Sequence, residues 1–312
     1  MTHGSAPGAA NRRDSGSTTR ADTLLLALGV LCASTAGPLV AAATAPALAI
    51  AFWRNALGAV VLLPYVGARY RAELRGASRS TLLLALLAGV FLAAHFGTFL
   101  PSLRYTAVSS ATALMCSQTV WAALFARLLG ERLPGRAWFG IALALASVLL
   151  LTGVDFTIST RALLGDGLAL LGGLFGGAYV VAGGLVRRDL STACYTAICY
   201  STAAAVLLAA CLASGQQLAG YRSEDWLYIG ALTVLAQLLG HSLFNLVLRS
   251  TSATVVSLTG LFVVPLASVQ AALLLRQTPP AATLPALALL LAGATIVVRA
   301  RQRVAPEAPP VD

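Results

Sequence analysis

The sequence contains no lysine, and only 10% of its 312 residues carry a charge. A soluble domain of ordinary composition has about 25% charged residues, so this chain lacks the polar surface that a water-soluble fold needs. Hydrophobic residues make up 58% of the chain, and the mean hydropathy is +0.82. Because no globular core of this size can hide so much apolar surface, the composition predicts an all-α polytopic membrane protein.

Signatures of catalytic and metal chemistry are also missing. No G-x-S-G sequence is present, which disfavours an intramembrane serine protease. Histidines and carboxylates do not converge in a metal-binding pattern, so we expect neither a metal nor another cofactor. No C-x-x-C pair occurs, and we predict buried free thiols at Cys32, Cys116, Cys194, Cys199 and Cys211.

Ten apolar runs are long enough to cross a bilayer, because about 20 helical residues at 1.5 Å each cover roughly 30 Å of hydrocarbon. We number them spans 1 to 10, and they cover about 22–42, 45–66, 80–100, 104–128, 135–153, 165–185, 192–214, 226–247, 252–275 and 282–299. The polar ends of the chain, residues 1–21 and 301–312, are predicted to be disordered tails.

The arginines indicate how the spans are oriented. With the N-terminus in the cytoplasm, sixteen of the 21 arginines fall on the cytoplasmic side, four fall in outer loops, and Arg54 lies inside span 2. Basic residues are in excess on the cytoplasmic side of membrane proteins, so both termini are predicted to be cytoplasmic in a bacterial inner membrane. Nucleic-acid binding is disfavoured, since the arginines sit in short loops and form no basic domain.

A weak internal repeat accompanies the ten spans. Shifting the sequence by 145 residues aligns Arg104 with Arg249 and Pro134 with Pro279, and the apolar runs coincide. Five spans per copy is an odd number, so the second copy would be inverted in the membrane. We therefore predict a 5+5 inverted repeat, with repeats at 22–153 and 154–300, and a substrate site near the midplane between them.

Two histidines are placed at matched depths by this repeat. His95 in span 3 lies nine residues before Arg104, and His241 in span 8 lies eight residues before Arg249. An imidazole facing lipid near the bilayer centre is costly, so each should face the protein interior or a water-filled cavity. The alternative is that both only form hydrogen bonds between helices.

Other polar and aromatic residues within the spans extend this pattern. Gln237, His241 and Asn245 recur every four residues on span 8, which places them on one helix face. Arg54 could bind a carboxylate or another anion, or its side chain could snorkel to the membrane surface. We predict a substrate cavity lined by Arg54, His95, Gln118, Trp121, Tyr179, His241 and Asn245. The glycine pairs Gly172/Gly176 and Gly173/Gly177 of span 6 predict close helix contacts.

Three segments carry a resemblance to a known family. They are "GDGLALLGGLFGGAYVVAGGLVRR" of span 6, "AFWRNALGAVVLLP" of span 2, and the turn Gly130-Glu131-Arg132-Leu133 after span 4. With the ten spans, they resemble the EamA-type branch of the drug/metabolite transporter superfamily, over roughly residues 22–300. Two departures stand out: span 1 lacks the tryptophan and basic residue common in the family, and Arg276 stands at the repeat position of Glu131.

The resemblance implies an inner-membrane carrier that exports small amphipathic metabolites through a central cavity by alternating access. Within the superfamily, the chain is similar to YddG-type aromatic amino-acid exporters, which implies amino acids as substrates. The expected partners are a small-molecule substrate and the lipid bilayer. Export of another metabolite or drug class, or an intramembrane enzyme, are the alternatives. A channel is disfavoured because no ring of charges or filter-like loop is visible.

Cysteines introduced at Ser5 and Val311 test the orientation. Both should resist an impermeant thiol reagent in intact cells, because the arginine distribution places both termini in the cytoplasm. Permeabilised cells, in which both positions should react, provide the control. Labelling of either position from outside intact cells would contradict the predicted orientation.

Overall fold

The structure is a computed structural model that describes residues 20–247, 259–278, 281 and 283–302, without the side chains of 151, 152, 154–158, 241, 245, 301 and 302. Within these ranges the chain is helical and contains no strand. The helices are α1 (Arg20–Ser34), α2 (Ala36–Ala42), α3 (Ala47–Arg69), α4 (Arg71–Gly76), α5 (Arg79–Ser102), α6 (Val108–Met115), α7 (Gln118–Leu128), α8 (Gly135–Ile158), α9 (Thr160–Val186), α10 (Thr192–Ala213), α11 (Ser223–Ala231), a π-helix (Leu232–Gly240), α12 (His241–Val247), α13 (Val263–Leu275) and α14 (Thr283–Gln302).

All of these helices except α4 fall on the ten predicted spans. Eight helical stretches of the described chain are long and apolar enough to cross a membrane. Two shorter apolar helices, Gly135–Leu150 and Val263–Leu275, lie at spans 5 and 9; the predicted start of span 9, at 252–258, lies outside the described residues. The structure thus confirms a helical, multi-span chain, and crossing by all ten helices remains a prediction.

Spans 1, 4 and 9 contain breaks. In span 1, Thr35 separates α1 from α2 three residues before Pro38, because proline has no N–H to donate to the carbonyl four residues earlier. Span 4 breaks at residues 116–117 without a proline, and span 9 breaks at 261–262, 145 residues further on. Span 8 instead changes from α- to π-helix at Leu232.

Small residues allow the helix backbones to touch. A Cβ built on Gly140 of α8 would lie 2.8 Å from the carbonyl oxygen of Gly293 in α14, and one on Gly293 would lie 2.7 Å from that of Gly140. Large apolar side chains such as Leu149 and Leu273 point outward and are 75% and 77% exposed, as expected of lipid-facing positions. The five cysteines are free and buried, as predicted.

Several helix contacts occur twice: a contact between two spans has a counterpart between the spans five positions away in the chain. Span 3 packs on span 6, and span 8 packs on span 1; span 4 packs on span 6, and span 9 packs on span 1. Spans 2 and 7, 4 and 9, and 5 and 10, which are themselves five positions apart, pack as pairs.

Candidate functional site

Glycines on α9 bring three helices together. Gly172 and Gly176 face α5, where a built Cβ would lie 2.9 Å from Phe99 Cβ and 3.0 Å from His95 Nδ1 respectively. Gly177 faces span 4, where a Cβ would lie 2.7 Å from Trp121 Cβ. Real Cβ atoms do not approach so closely, so only glycine permits this packing. The predicted role of the glycine pairs is confirmed.

His95 is buried in the contact between α5 and α9, with 9% of its surface exposed. Its Nδ1 lies 2.7 Å from the carbonyl oxygen of Gly172. A carbonyl can only accept, so Nδ1 carries the hydrogen, and in the neutral ring Nε2 is left as the acceptor. Phe96 and Phe99 lie beside the ring, with centroids 4.8 and 6.0 Å away.

Gln118 and Trp121 follow the break in span 4. Gln118 Oε1 would lie 2.7 Å from a Cβ on Gly176, the glycine that also contacts His95. The indole N–H of Trp121 and the hydroxyl of Ser117 are buried and have no hydrogen-bond partner among the described residues. Thus the structure brings His95, Gln118 and Trp121 together around α9.

Arg54 also lies beside Phe96. Its guanidinium carbon stands 4.1 Å from the centre of the Phe96 ring, and its Nε donates a 2.6 Å hydrogen bond to Gln237 Oε1 of span 8. Only 3% of the residue is exposed, so the side chain does not snorkel to the surface. In the described part of the chain, no carboxylate lies within ion-pair distance of it.

The remaining predicted residues are placed less favourably or fall outside the description. Tyr179 stacks on Tyr195 of α10 at 5.8 Å, on the face of α9 that contacts span 7, and no contact given by the structure joins it to His95. His241 and Asn245 lie on α12, but their side chains are outside the described residues. Their part in a cavity stays a prediction.

Sequence reasoning missed the partners of Arg54. Phe96 and Gln237 touch its guanidinium, and Tyr200 of span 7 lies close enough to interact with it electrostatically. Asn55 is fully buried, and its side-chain oxygen has no partner among the described groups. Gln237 was visible as part of the polar stripe on span 8, whereas a phenylalanine and a tyrosine inside apolar spans carried no separate signal.

Near each predicted membrane face, a hydrogen bond joins a segment of the first predicted repeat to one of the second. On the predicted outer face, Asp225 at the start of span 8 accepts hydrogen bonds from Thr44 N at 2.6 Å and from Thr44 Oγ1 at 2.7 Å. Arg104 binds the carbonyls of Ala43 and Ala45, at 2.6 and 2.8 Å, and so holds the same loop. We call the pairing of Asp225 with Thr44 the outer contact.

On the predicted cytoplasmic face, Glu73 of α4 accepts a 2.6 Å hydrogen bond from the backbone N–H of Ser191, and Thr81 donates one of 2.8 Å to Asp189. We call the pairing of Glu73 with Ser191 the inner contact. Two surface grooves of about 340 and 520 Å³ lie beside it, lined by residues that include Thr81 and Asp189. Neither groove reaches His95 or Arg54, whose side chains are enclosed by protein.

Polar side chains that meet inside membrane-spanning helices mark a candidate functional site of a membrane protein. The family model described as EamA-like transporter family matches residues 22–153 and 163–299. The chain therefore belongs to the EamA-like transporter family, within the drug/metabolite transporter superfamily. A solved structure, described only as a crystal structure of protein, is 20% identical with a TM-score of 0.59, covering 91% of this chain and 99% of that chain. That likeness shows the fold alone; no curated protein matches the chain.

Replacing His95 separates a transport role from a purely structural one. His95→Ala should lower solute flux at least about tenfold, because it removes a hydrogen-bonding group from the site, while folding is retained. His95→Gln keeps an N–H donor for the Gly172 carbonyl and controls for that bond. Flux in liposomes is compared with thermal unfolding of the same purified variants. Loss of folding in step with loss of flux would favour a role in helix association only.

Proposed function

We propose that this transporter exports small amphipathic metabolites from the bacterial cytoplasm, with amino acids, aromatic ones included, as the substrate class. The observation that carries the proposal is the meeting of His95, Gln118 and Trp121 inside the spans, with Arg54 adjacent across Phe96. Aromatic rings offer apolar surface, and the imidazole, amide and indole offer hydrogen bonds. A solute with both an apolar body and charged groups matches that combination.

Alternating access by a 5+5 inverted repeat is the mechanism we propose. Its support comes from three independent observations. Helix contacts repeat when spans five apart are exchanged. The breaks in spans 4 and 9 are 145 residues apart, which is the shift of the sequence repeat. The family match consists of two segments, which are separated between residues 153 and 163, close to the predicted boundary of the two repeats. In proteins of this design the substrate site lies between the repeats.

The two contacts between the halves would act as the gates of this cycle. They occupy similar places in the two proposed repeats. Thr44 and Ser191 precede spans 2 and 7, while Glu73 lies between spans 2 and 3 and Asp225 lies at the start of span 8. In each, a carboxylate accepts from the backbone N–H of the other half. Both are formed in this structure, and the midplane residues are enclosed, as in an occluded state.

Neutralising each carboxylate in turn tests the gates. In a chain whose native cysteines are replaced by alanine, a single cysteine at Ser117 reports access to the midplane. Asp225→Asn should raise labelling of this cysteine from the outer side, and Glu73→Gln should raise it from the cytoplasmic side. Each increase should be roughly tenfold, because a charge-assisted hydrogen bond is weakened. Glu224→Gln, a change at an exposed neighbour of Asp225, is the control. Labelling that does not change, or rises from the same side in both variants, would refute the assignment.

Energy coupling follows from the ionisable groups within the spans. Strong proton antiport commonly depends on a deep carboxylate, and spans 1–5 contain none in their interior, since Asp22 and Glu131 lie at span ends. Asp166 opens span 6 near the predicted outer face, and arginine does not release a proton at useful pH. We therefore infer facilitated flux, with the solute moving down its own gradient and with a shallow pH dependence.

Flux measurements on purified protein in liposomes test both the proposed substrate class and the absence of coupling to protons. Amino acids, aromatic ones among them, should exchange across the membrane, and a pH gradient alone should produce no accumulation. Empty liposomes and the His95→Ala variant are the controls. Accumulation that persists after the membrane potential is abolished would overturn facilitated flux. An absence of amino-acid exchange, with flux of another metabolite or drug, would overturn the substrate class.

A further inference from the structure

The positive charge of Arg54 is not paired with any carboxylate of the described chain. The residue is 3% exposed, and the one ion pair among the described residues, Arg222 with Glu224, lies elsewhere. A buried charge without a counter-charge is costly. The Phe96 ring and one hydrogen bond to a neutral amide offset only part of that cost. A negatively charged ligand would supply the missing counter-charge.

Gln237 holds the guanidinium in a defined orientation. Its Oε1 accepts from Arg54 Nε, so the amide must turn its Nε2 donor away from that bond. The residue is 1% exposed, and Nε2 has no hydrogen-bond partner among the described groups. A Cβ on Gly58 would lie 2.8 Å from Nε2, so glycine at that position leaves room for the amide. Nε2 of Gln237 is therefore a buried donor without an acceptor among the described groups, next to the guanidinium of Arg54.

We propose that Arg54 and Gln237 form the binding site for the carboxylate of the exported solute, with Gln237 as a specificity-determining residue. The inference rests on the proposed function and names the group that the site requires. A single guanidinium matches the single negative charge of a carboxylate, whose two oxygens can accept from several N–H donors at once. Phe96, the His95 ring beside it and the Tyr200 ring against Gly58 provide surface for an apolar body. A small inorganic anion would leave that surface unused.

Three related probes separate the carboxylate from the rest of the solute. They are 3-phenylpropionate, which has only the carboxylate, phenethylamine, which has only the amine, and L-phenylalanine, which has both. Binding to the purified protein in detergent is measured by calorimetry, so the result does not depend on transport. We expect 3-phenylpropionate and L-phenylalanine to bind, and phenethylamine to bind at least about tenfold more weakly. Equal binding of phenethylamine would overturn the proposal, as would failure of all three to bind.

Two substitutions then locate the site. Gln237→Glu places a carboxylate against Arg54, so the internal ion pair should preserve folding while 3-phenylpropionate binding falls at least about tenfold. Arg54→Lys keeps the charge but loses the fork of donors, and should also weaken binding. Gln217→Glu adds the same charge as Gln237→Glu, and Arg136→Lys repeats the replacement made at Arg54, both at exposed positions, so both should leave binding unchanged. Unaltered binding in folded Gln237→Glu protein would show that the carboxylate lies elsewhere.

The same measurements distinguish failure of this site from failure of the proposed function. Carboxylate binding that depends on Arg54 and Gln237, without flux in liposomes, would support the site and reject amino-acid export. Amino-acid flux that is unchanged in Gln237→Glu would support export and reject the site. Chloride or phosphate competing as strongly as 3-phenylpropionate would indicate a site for inorganic anions and reject the carboxylate assignment.

Discussion

The interior of this protein depends on the close approach of α9 to spans 3 and 4. At the glycines of α9, atoms of neighbouring helices lie so close to the backbone that a Cβ atom would not fit. In lipid, association of helices depends on such packing, because burial of apolar surface drives it only weakly. The Gly172 carbonyl thus reaches the His95 ring, and span 4 brings its broken segment to the same place. A polar cluster in the membrane is possible here because the glycines enclose it.

The unpaired charge of Arg54 acts against this enclosure. Packing encloses the site, whereas a charge without a counter-charge favours opening it to water or to an anion. In the proposed cycle the outer and inner contacts oppose opening; in each, a carboxylate accepts a hydrogen bond from a backbone N–H of a distant segment. The proposed transport cycle requires closed and open states of similar free energy. An interior with every polar group already paired would gain little from binding a solute and would stay closed.

Much of the fold follows from the sequence, because a bilayer demands long apolar helices with all backbone groups bonded internally. The apolar runs coincide with the described helices, and the depth of His95 correctly predicted that its ring is buried. The glycine pairs of span 6 were equally readable. What the sequence did not predict is the rotation of each helix about its axis. Tyr179 faces span 7 rather than His95, and both positions are compatible with the same apolar run.

Pairings between distant segments were likewise beyond sequence reasoning. Arg54 and Gln237 are 183 residues apart, and their meeting depends on how spans 2 and 8 pack across the two halves. The break at residues 116–117 contains no proline, so no local signal marked it. The carboxylates Glu73 and Asp225 resembled ordinary loop residues until the structure placed each against a backbone amide of the other half.

The π-helical stretch of span 8 has a consequence for the geometry of the second half. An α-helix turns by about 100° per residue, so converting Leu232–Gly240 to α-helical hydrogen bonding by one residue of register would turn everything after Gly240 by about that angle. His241 and Asn245 lie on the segment that would turn, whereas Gln237 lies within the stretch itself. Span 3, the predicted repeat counterpart of span 8, is α-helical from Arg79 to Ser102. The two spans therefore differ in helix type, and a change of register within the π-helical stretch would give the polar stripe of span 8 a second orientation.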